Sequence, residues 1–243
     1  MTTAVAKNTN SALSVADFGL PEDYQGLELQ SKDVVLPHIQ LLQKGVEWEE
    51  LNDIPWKPGD FYNSATGEVI KTAFEALVID MKVTTKMMGP KDGDGRRETL
   101  KFSSDGIHWD DGSRITAEDR KSNDKDDFLN GAAVDSYHYI IIMKGADFPI
   151  ILTFKGASYR NAKTMNFALN RMQPTWKCWT KFSSEEGVSG ANKFKKLVGK
   201  VQPKRPLEDG ELAQLALETW KASKTQRIVS KELSGSDDDT PTY

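Results

Sequence analysis

Cysteine is almost missing from this chain. The single Cys178 excludes an internal disulfide and any zinc site built on cysteine pairs, and it suits a reducing compartment. Histidine is scarce as well: His38, His108 and His138 lie far apart, without ligand-spaced cysteines, so a His/Cys metal centre is not expected. No run approaches the ~18 apolar residues of a membrane span, and the first residues show no basic-then-apolar signal pattern. A soluble, cytoplasmic protein is expected. No Ser-His-Asp pattern, nucleophile elbow, P-loop or dinucleotide fingerprint stands out. Asp105, Asp110 and Asp111 are the nearest thing to a carboxylate cluster, and their glycine-rich setting reads as solvated turn acids. The chain therefore reads as a binder rather than an enzyme, with no cofactor.

Charge is plentiful, but it is sorted into blocks. Residues 140–205 hold thirteen cations against Asp147, Glu185 and Glu186, a net of +10. The same block carries Phe148, Phe154, Tyr159, Phe167, Trp176, Trp179, Phe182 and Phe194. Residues 1–139 are net −10 and residues 206–243 net −4, so the whole-chain charge of −4 conceals the basic block. Cations interleaved with aromatic rings are what a single-stranded nucleic-acid binder needs, because cations follow phosphates and rings stack on unpaired bases.

The chain divides into three parts. Residues 1–30, rich in Ala, Thr, Ser and Asn, read as a flexible arm. Residues 31–223 form the domain, interrupted by a polar excursion at 89–135 that is expected to be exposed and either flexible or ordered by a partner. Residues 224–243 read as a disordered acidic tail. Within the domain, Val34–Leu42 is apolar but broken by Pro37, as in an edge or irregular strand. Phe61-Tyr62 and Glu68-Val69-Ile70 flank a turn, and Asp105-Gly106 reads as a tight hairpin turn. Strands are expected at Ala76–Val83, Tyr137–Met143, Pro149–Phe154, Thr175–Phe182 and Lys193–Val201. Ser158 is placed to N-cap a helix running to Met172, with Ala162, Met165, Leu169 and Met172 on one stripe. Leu212, Leu215, Ala216 and Trp220 mark a short C-terminal helix. The expected fold is mainly β with minor α: a five-stranded barrel with insertions of the oligonucleotide-binding type, plus one inserted and one C-terminal helix.

Strand alternation selects a candidate surface. In Thr175–Phe182, Trp176, Cys178, Thr180 and Phe182 share one face, while Lys177, Trp179 and Lys181 share the other. Either Trp179 is an exposed stacking platform between two phosphate-binding lysines, or it packs under a loop and the lysines keep the strand soluble. The next strand adds Lys193, Lys195, Lys196 and Lys200, on both faces, as suits an edge strand. Lys155-Gly156-Ala157-Ser158 leads into a helix whose N-terminus, with Ser158, Arg160 and Lys163, offers either an anion site or an ordinary cap. Tyr159 is a second ring for stacking or for the core. The expected nucleic-acid contacts are Lys155, Tyr159, Arg160, Lys163, Lys177, Trp179, Lys181, Lys193, Lys195, Lys196 and Lys200.

The C-terminal tip, Asp237-Asp238-Asp239-Thr240-Pro241-Thr242-Tyr243, resembles that of bacterial single-stranded DNA-binding proteins, with Thr242 inserted and Tyr in place of Phe. The resemblance implies that Asp237, Asp238, Asp239, Pro241 and Tyr243 dock onto replication or recombination proteins and compete with DNA for the basic block. More loosely, residues 34–222 resemble a group of phage proteins encoded among recombination and replication genes. The resemblance rests on Leu-Pro-His-Ile-Gln, Pro-Gly-Asp-Phe, Ser-Ser-Asp-Gly and Phe-Pro-Ile-Ile-Leu-Thr-Phe-Lys-Gly-Ala-Ser. Some members of that group carry paired cysteines in the central excursion; this chain has none there. Together these resemblances imply a phage-encoded, sequence-tolerant single-stranded DNA-binding protein of the host cytoplasm, with homo-oligomers possible. The competing readings are a protein-binding adaptor or inhibitor using the basic face, and a strand-annealing recombinase.

Overall fold

The structure, a computed structural model, describes residues 36–44, 51, 54–93, 97–127, 129–189 and 192–225. The predicted N-terminal arm and the acidic tip lie outside them. The fold is mainly β. Nine strands form one mixed sheet: β1 (His38–Leu41), β2 (Phe61–Asn63), β3 (Glu68–Ile70), β4 (Ala73–Lys91), β5 (Arg97–Ser103), β6 (Ala133–Met143), β7 (Ile150–Phe154), β8 (Cys178–Ser189) and β9 (Asn192–Pro206). They lie in the order β3-β2-β1-β7-β6-β4-β8-β9, with β5 added to β4, and among the described residues only β1–β7 is parallel. The predicted five-stranded barrel is replaced by this larger sheet, which does not close, because among the described residues no strand pairs with β9 beyond β8. β1, expected as an edge or irregular strand, lies between β2 and β7: Pro37 precedes the paired residues, so its missing N–H does not interrupt the ladder.

The long strand β4 organises the molecule. Its β-branched and apolar residues 76–79 are buried on both faces, as expected where helices cover a sheet from both sides. Ala76 and Val78 face one core with Tyr139, Ile141, Leu152, Phe154, Phe182 and Leu197, closed by helix α1 (Tyr159–Leu169) through Ala162, Met165 and Leu169. Leu77 and Ile79 face the other core with Ile140 and Ile142, closed by helix α2 (Gly210–Thr225) through Ala216. A bulge between Val78 and Asp80 turns Asp80 toward α2, where Ser223 Oγ donates to it at 2.7 Å and the Lys224 ammonium at 2.7 Å. Asp209 caps the other end of α2, accepting the N–H groups of Glu211 and Leu212.

The described residues of the 89–135 excursion, expected to be flexible or ordered by a partner, make contacts with one another and with β4. β5 pairs with the far end of β4, Trp109 is buried, and Arg97 donates to Gly89 O at 2.8 Å and to the Asp127 carboxylate at 2.5 Å. Asp105-Gly106 does turn, with Gly106 at φ 71°, but it ends β5 without opening a strand hairpin. The Asp105 carboxylate accepts the N–H groups of Ile107 and His108 at 2.7 Å each. These bonds and the His108 ring hold its pKa far below the ordinary carboxylate range.

Candidate nucleic-acid interface

β8 and β9 form a long two-stranded ribbon. β4 supports only Thr180–Ser183 of β8, while the β8–β9 ladder continues to Ser189 and Asn192. Thr175–Lys177, predicted as strand, is a single 3-10 turn. Thr175 Oγ1 donates to Val78 O at 2.8 Å, sealing the stretch of β4 edge between β8 and β5. β9 is the edge strand that its lysines suggested, and its free backbone groups are met by side chains. Lys195 N–H donates to Gln43 Oε1 at 3.0 Å, and Gln43 Nε2 donates to Lys195 O at 2.6 Å. Two residues along, Leu197 N–H donates to Ser158 Oγ at 2.8 Å, and Asn161 Nδ2 donates to Leu197 O at 2.8 Å.

Those bonds redefine Ser158. Its hydroxyl makes no cap bond within α1, and the side chain is buried against β9. The predicted anion site at this helix start is therefore filled by the sheet edge. Asn161 anchors the same end of α1, which fixes which side of the helix meets solvent. Arg160, Lys163, Phe167 and Arg171 are all exposed there.

That outward side carries two cation–ring pairs. The Lys163 ammonium lies 4.4 Å from the centroid of Tyr159, and the Arg171 guanidinium 4.2 Å from that of Phe167. Phe167 is 63 % exposed. A phenyl ring held in water beside a guanidinium, on a helix whose apolar stripe runs through 162, 165 and 169, is not core. Composition singled out neither Phe167 nor Arg171 as contacts. The available signal was position: Phe167 falls off the buried stripe, with a cation four residues on.

Tyr159 is committed elsewhere. Its ring stacks on Tyr137 with centroids 5.2 Å apart, and its hydroxyl donates to Asp135 at 3.1 Å, where Arg120 of the excursion also binds at 2.9 Å. Burial, together with a hydrogen bond to Tyr159, pushes the Tyr137 hydroxyl up to about 12. Trp179 is likewise no free platform. It is half-buried against the core beneath α2, alongside Trp176, with the Lys144 ammonium 5.9 Å from its ring. The alternation was right in putting Trp179 opposite Phe182; α2, some thirty residues later in the chain, covers that face.

Six of the nine predicted cations fall into two groups. Lys155, Arg160 and Lys163 surround the start of α1, and all three are exposed. Lys181, Lys196 and Lys200 share the ribbon face opposite the α1 core, since Phe182 and Leu197 point inward. Lys181 is directly opposite Lys200, both exposed, and Lys196 is directly opposite Glu185, paired at 2.9 Å. Lys193 pairs with Glu186 at 3.3 Å, Lys195 lies along the Gln43 edge, and Lys177 is exposed on the 3-10 turn. Among the described residues no three His, Cys, Asp or Glu side chains are grouped as a metal ion would require, and no helix is long and apolar enough to cross a membrane.

Comparison with known proteins gives one finding. A family model described as Pam3 phage gp34-like protein matches residues 7–229. Neither the curated proteins nor the solved structures contain a match.

Proposed function

The chain belongs to the Pam3 phage gp34-like protein family and is thus a phage protein, and we propose that it binds single-stranded DNA without strong sequence preference, in phage replication or recombination. The observation that carries this reading is the outward side of α1, where exposed Phe167 under Arg171 adjoins Arg160 and Lys163. An exposed ring accepts any base by stacking, each stack contributing about 1–3 kcal/mol, and the flanking cations neutralise phosphates. Stacking uses the ring face that every base shares, so base identity goes largely unread. The protein acts by binding, without a catalytic step. The acidic tip, Asp237–Asp239 with Pro241 and Tyr243, competes intramolecularly for the basic surface and offers a handle to replication or recombination proteins.

The test is fluorescence anisotropy of labelled dT oligomers, with duplex of the same length as competitor, across several salt concentrations. Binding should favour the single strand, with log K falling at about −0.7 per phosphate neutralised. Phe167→Ala should weaken binding about tenfold or more while leaving the unfolding midpoint unchanged. A protein indifferent to dT at low salt would instead use this face on a protein partner.

A further inference from the structure

The ribbon face away from α1 has a composition of its own. Its outward residues are Lys181, Ser183, Glu185 and Gly187 on β8, facing Lys200, Val198, Lys196 and Phe194 on β9. Three lysines share this stretch with Glu185; the next carboxylate, Glu75 of β4, lies directly opposite Lys181 on its other side and is held by Gln202, Lys144 and Arg205. Lys181 and Lys200 face each other directly, a like-charge pairing that weakens a sheet unless something anionic joins it. Along β9 the side chains on this face repeat every two residues, about 6.8 Å, a spacing close to that of phosphates in an extended single strand. Phe194 lies across Gly187, whose missing Cβ leaves room for the ring: a Cβ there would sit 2.4 Å from Phe194 Cε2.

This face is continuous with α1. Asn161 of α1 donates to Leu197 O at the β9 edge at 2.8 Å, one residue along the strand from Lys196. Arg160 and Lys196 are the chain neighbours of the two residues that make this bond. Glu185 itself is held by Lys196 in a partly exposed pair, close to the surface kind whose median worth is about 0–1 kcal/mol. An incoming phosphate can replace it at little cost.

We propose that a single strand held on α1 continues over the β9 edge onto the outer face of the β8–β9 ribbon, where Lys196, Lys200 and Lys181 receive its phosphates and Lys196 exchanges Glu185 for one of them. This rests on the single-strand reading of α1 and assigns the strand's path. A short strand fills α1 alone; a longer one bends round the edge. Glu185 acts as a built-in counter-charge that keeps the ribbon closed to weak anions until a strand is anchored next to it.

The experiment uses the full chain and labelled dT oligomers of about 6 and about 30 nucleotides. Lys181 and Lys200 are exposed and form no ion pair among the described residues, so a Lys181→Ala/Lys200→Ala variant should fold as the parent does. It should bind the short oligomer unchanged and the long one about tenfold more weakly, with the salt slope reduced by about 1.4 for two lost phosphate contacts. Glu185→Gln should shift the long oligomer the other way, tightening it and leaving the short one alone. Equal effects on both lengths, or none on the long one, would overturn the path. So would wild-type binding of two short oligomers with the double variant binding one, since the faces would then be separate sites. If Phe167→Ala weakens the short oligomer while the lysine variant matches wild type at both lengths, the single-strand reading stands and only the path fails. Wild-type protein that binds neither oligomer overturns both.

Discussion

The Gln43 carboxamide makes both hydrogen bonds of a β-bridge to Lys195, accepting its N–H at 3.0 Å and donating to its carbonyl at 2.6 Å. A side chain thus does at the β9 edge what another strand would do in a closed barrel. Ser158 and Asn161 repeat the arrangement at Leu197, so alternate residues of the edge are masked from a second copy or a stray strand.

Gln43→Ala should lower stability by about 1–2 kcal/mol, because two partly buried backbone groups lose their partners. The urea midpoint should fall with an unchanged slope, and self-association on mild heating should rise as the edge opens. A variant with the wild-type midpoint would show that water replaces the amide without loss.

Trp179→Ala should act on stability rather than on DNA. The ring packs with Leu77, Ile79, Ile140 and Ile142 beneath α2, so its removal leaves a cavity costing about 3 kcal/mol, or somewhat less for a half-buried site. At temperatures where the variant is folded, dT affinity should stay within twofold of wild type. A large affinity loss with unchanged stability would return Trp179 to the binding surface.

What the sequence disclosed and what it withheld follow from the range of the interactions. β6 and β7 were legible because β-branched runs such as Ile140-Ile141-Ile142 and Ile150-Ile151 are buried whatever covers them. The α1 stripe at 162, 165 and 169 was legible from its period alone. Trp179 was not, because its cover is set by a helix remote in sequence; nor was Ser158, whose hydroxyl serves β9 instead of its own helix. Sheet closure through Gln43 had no local pattern at all. The excursion misled because polar turns satisfied by Asp105, Asp119 and Asp127 look the same in sequence as polar turns satisfied by water.

Acid should release that excursion first. Asp105, Asp111, Asp119 and Asp127 all have pKa values lowered from an ordinary 3.8: His108 N–H and ring bonds act on Asp105, Ser113 on Asp111, Thr116 on Asp119 and Arg97 on Asp127. A carboxylate depressed on folding stabilises the folded state above its unfolded pKa, and that contribution is lost as pH falls through the folded value. Stability of residues 97–132 should therefore be flat above about pH 5 and decline progressively below about pH 4. Hydrogen exchange compared at matched intrinsic rates should show this segment losing protection while β6 and β7 keep theirs. Uniform loss across the sheet would mean the carboxylates stabilise the whole domain together.

Deleting Ser234–Tyr243 should tighten single-strand binding. The segment carries Asp237, Asp238 and Asp239 and no cation, so its removal raises the net charge by three. Tethered acids act at an effective concentration set by the chain between them and the surface, in the millimolar range for short flexible links. Their competition is electrostatic and should fade as the Debye length shrinks from about 30 Å at 0.01 M salt to about 10 Å at 0.1 M. The gain on deletion should accordingly be several-fold at low salt and nearly absent at high salt. It should also be larger for the long dT oligomer if the acids lie on the ribbon and equal for both lengths if they lie on α1. A truncated protein that binds no tighter at any salt would mean the acidic tip does not visit the basic surface.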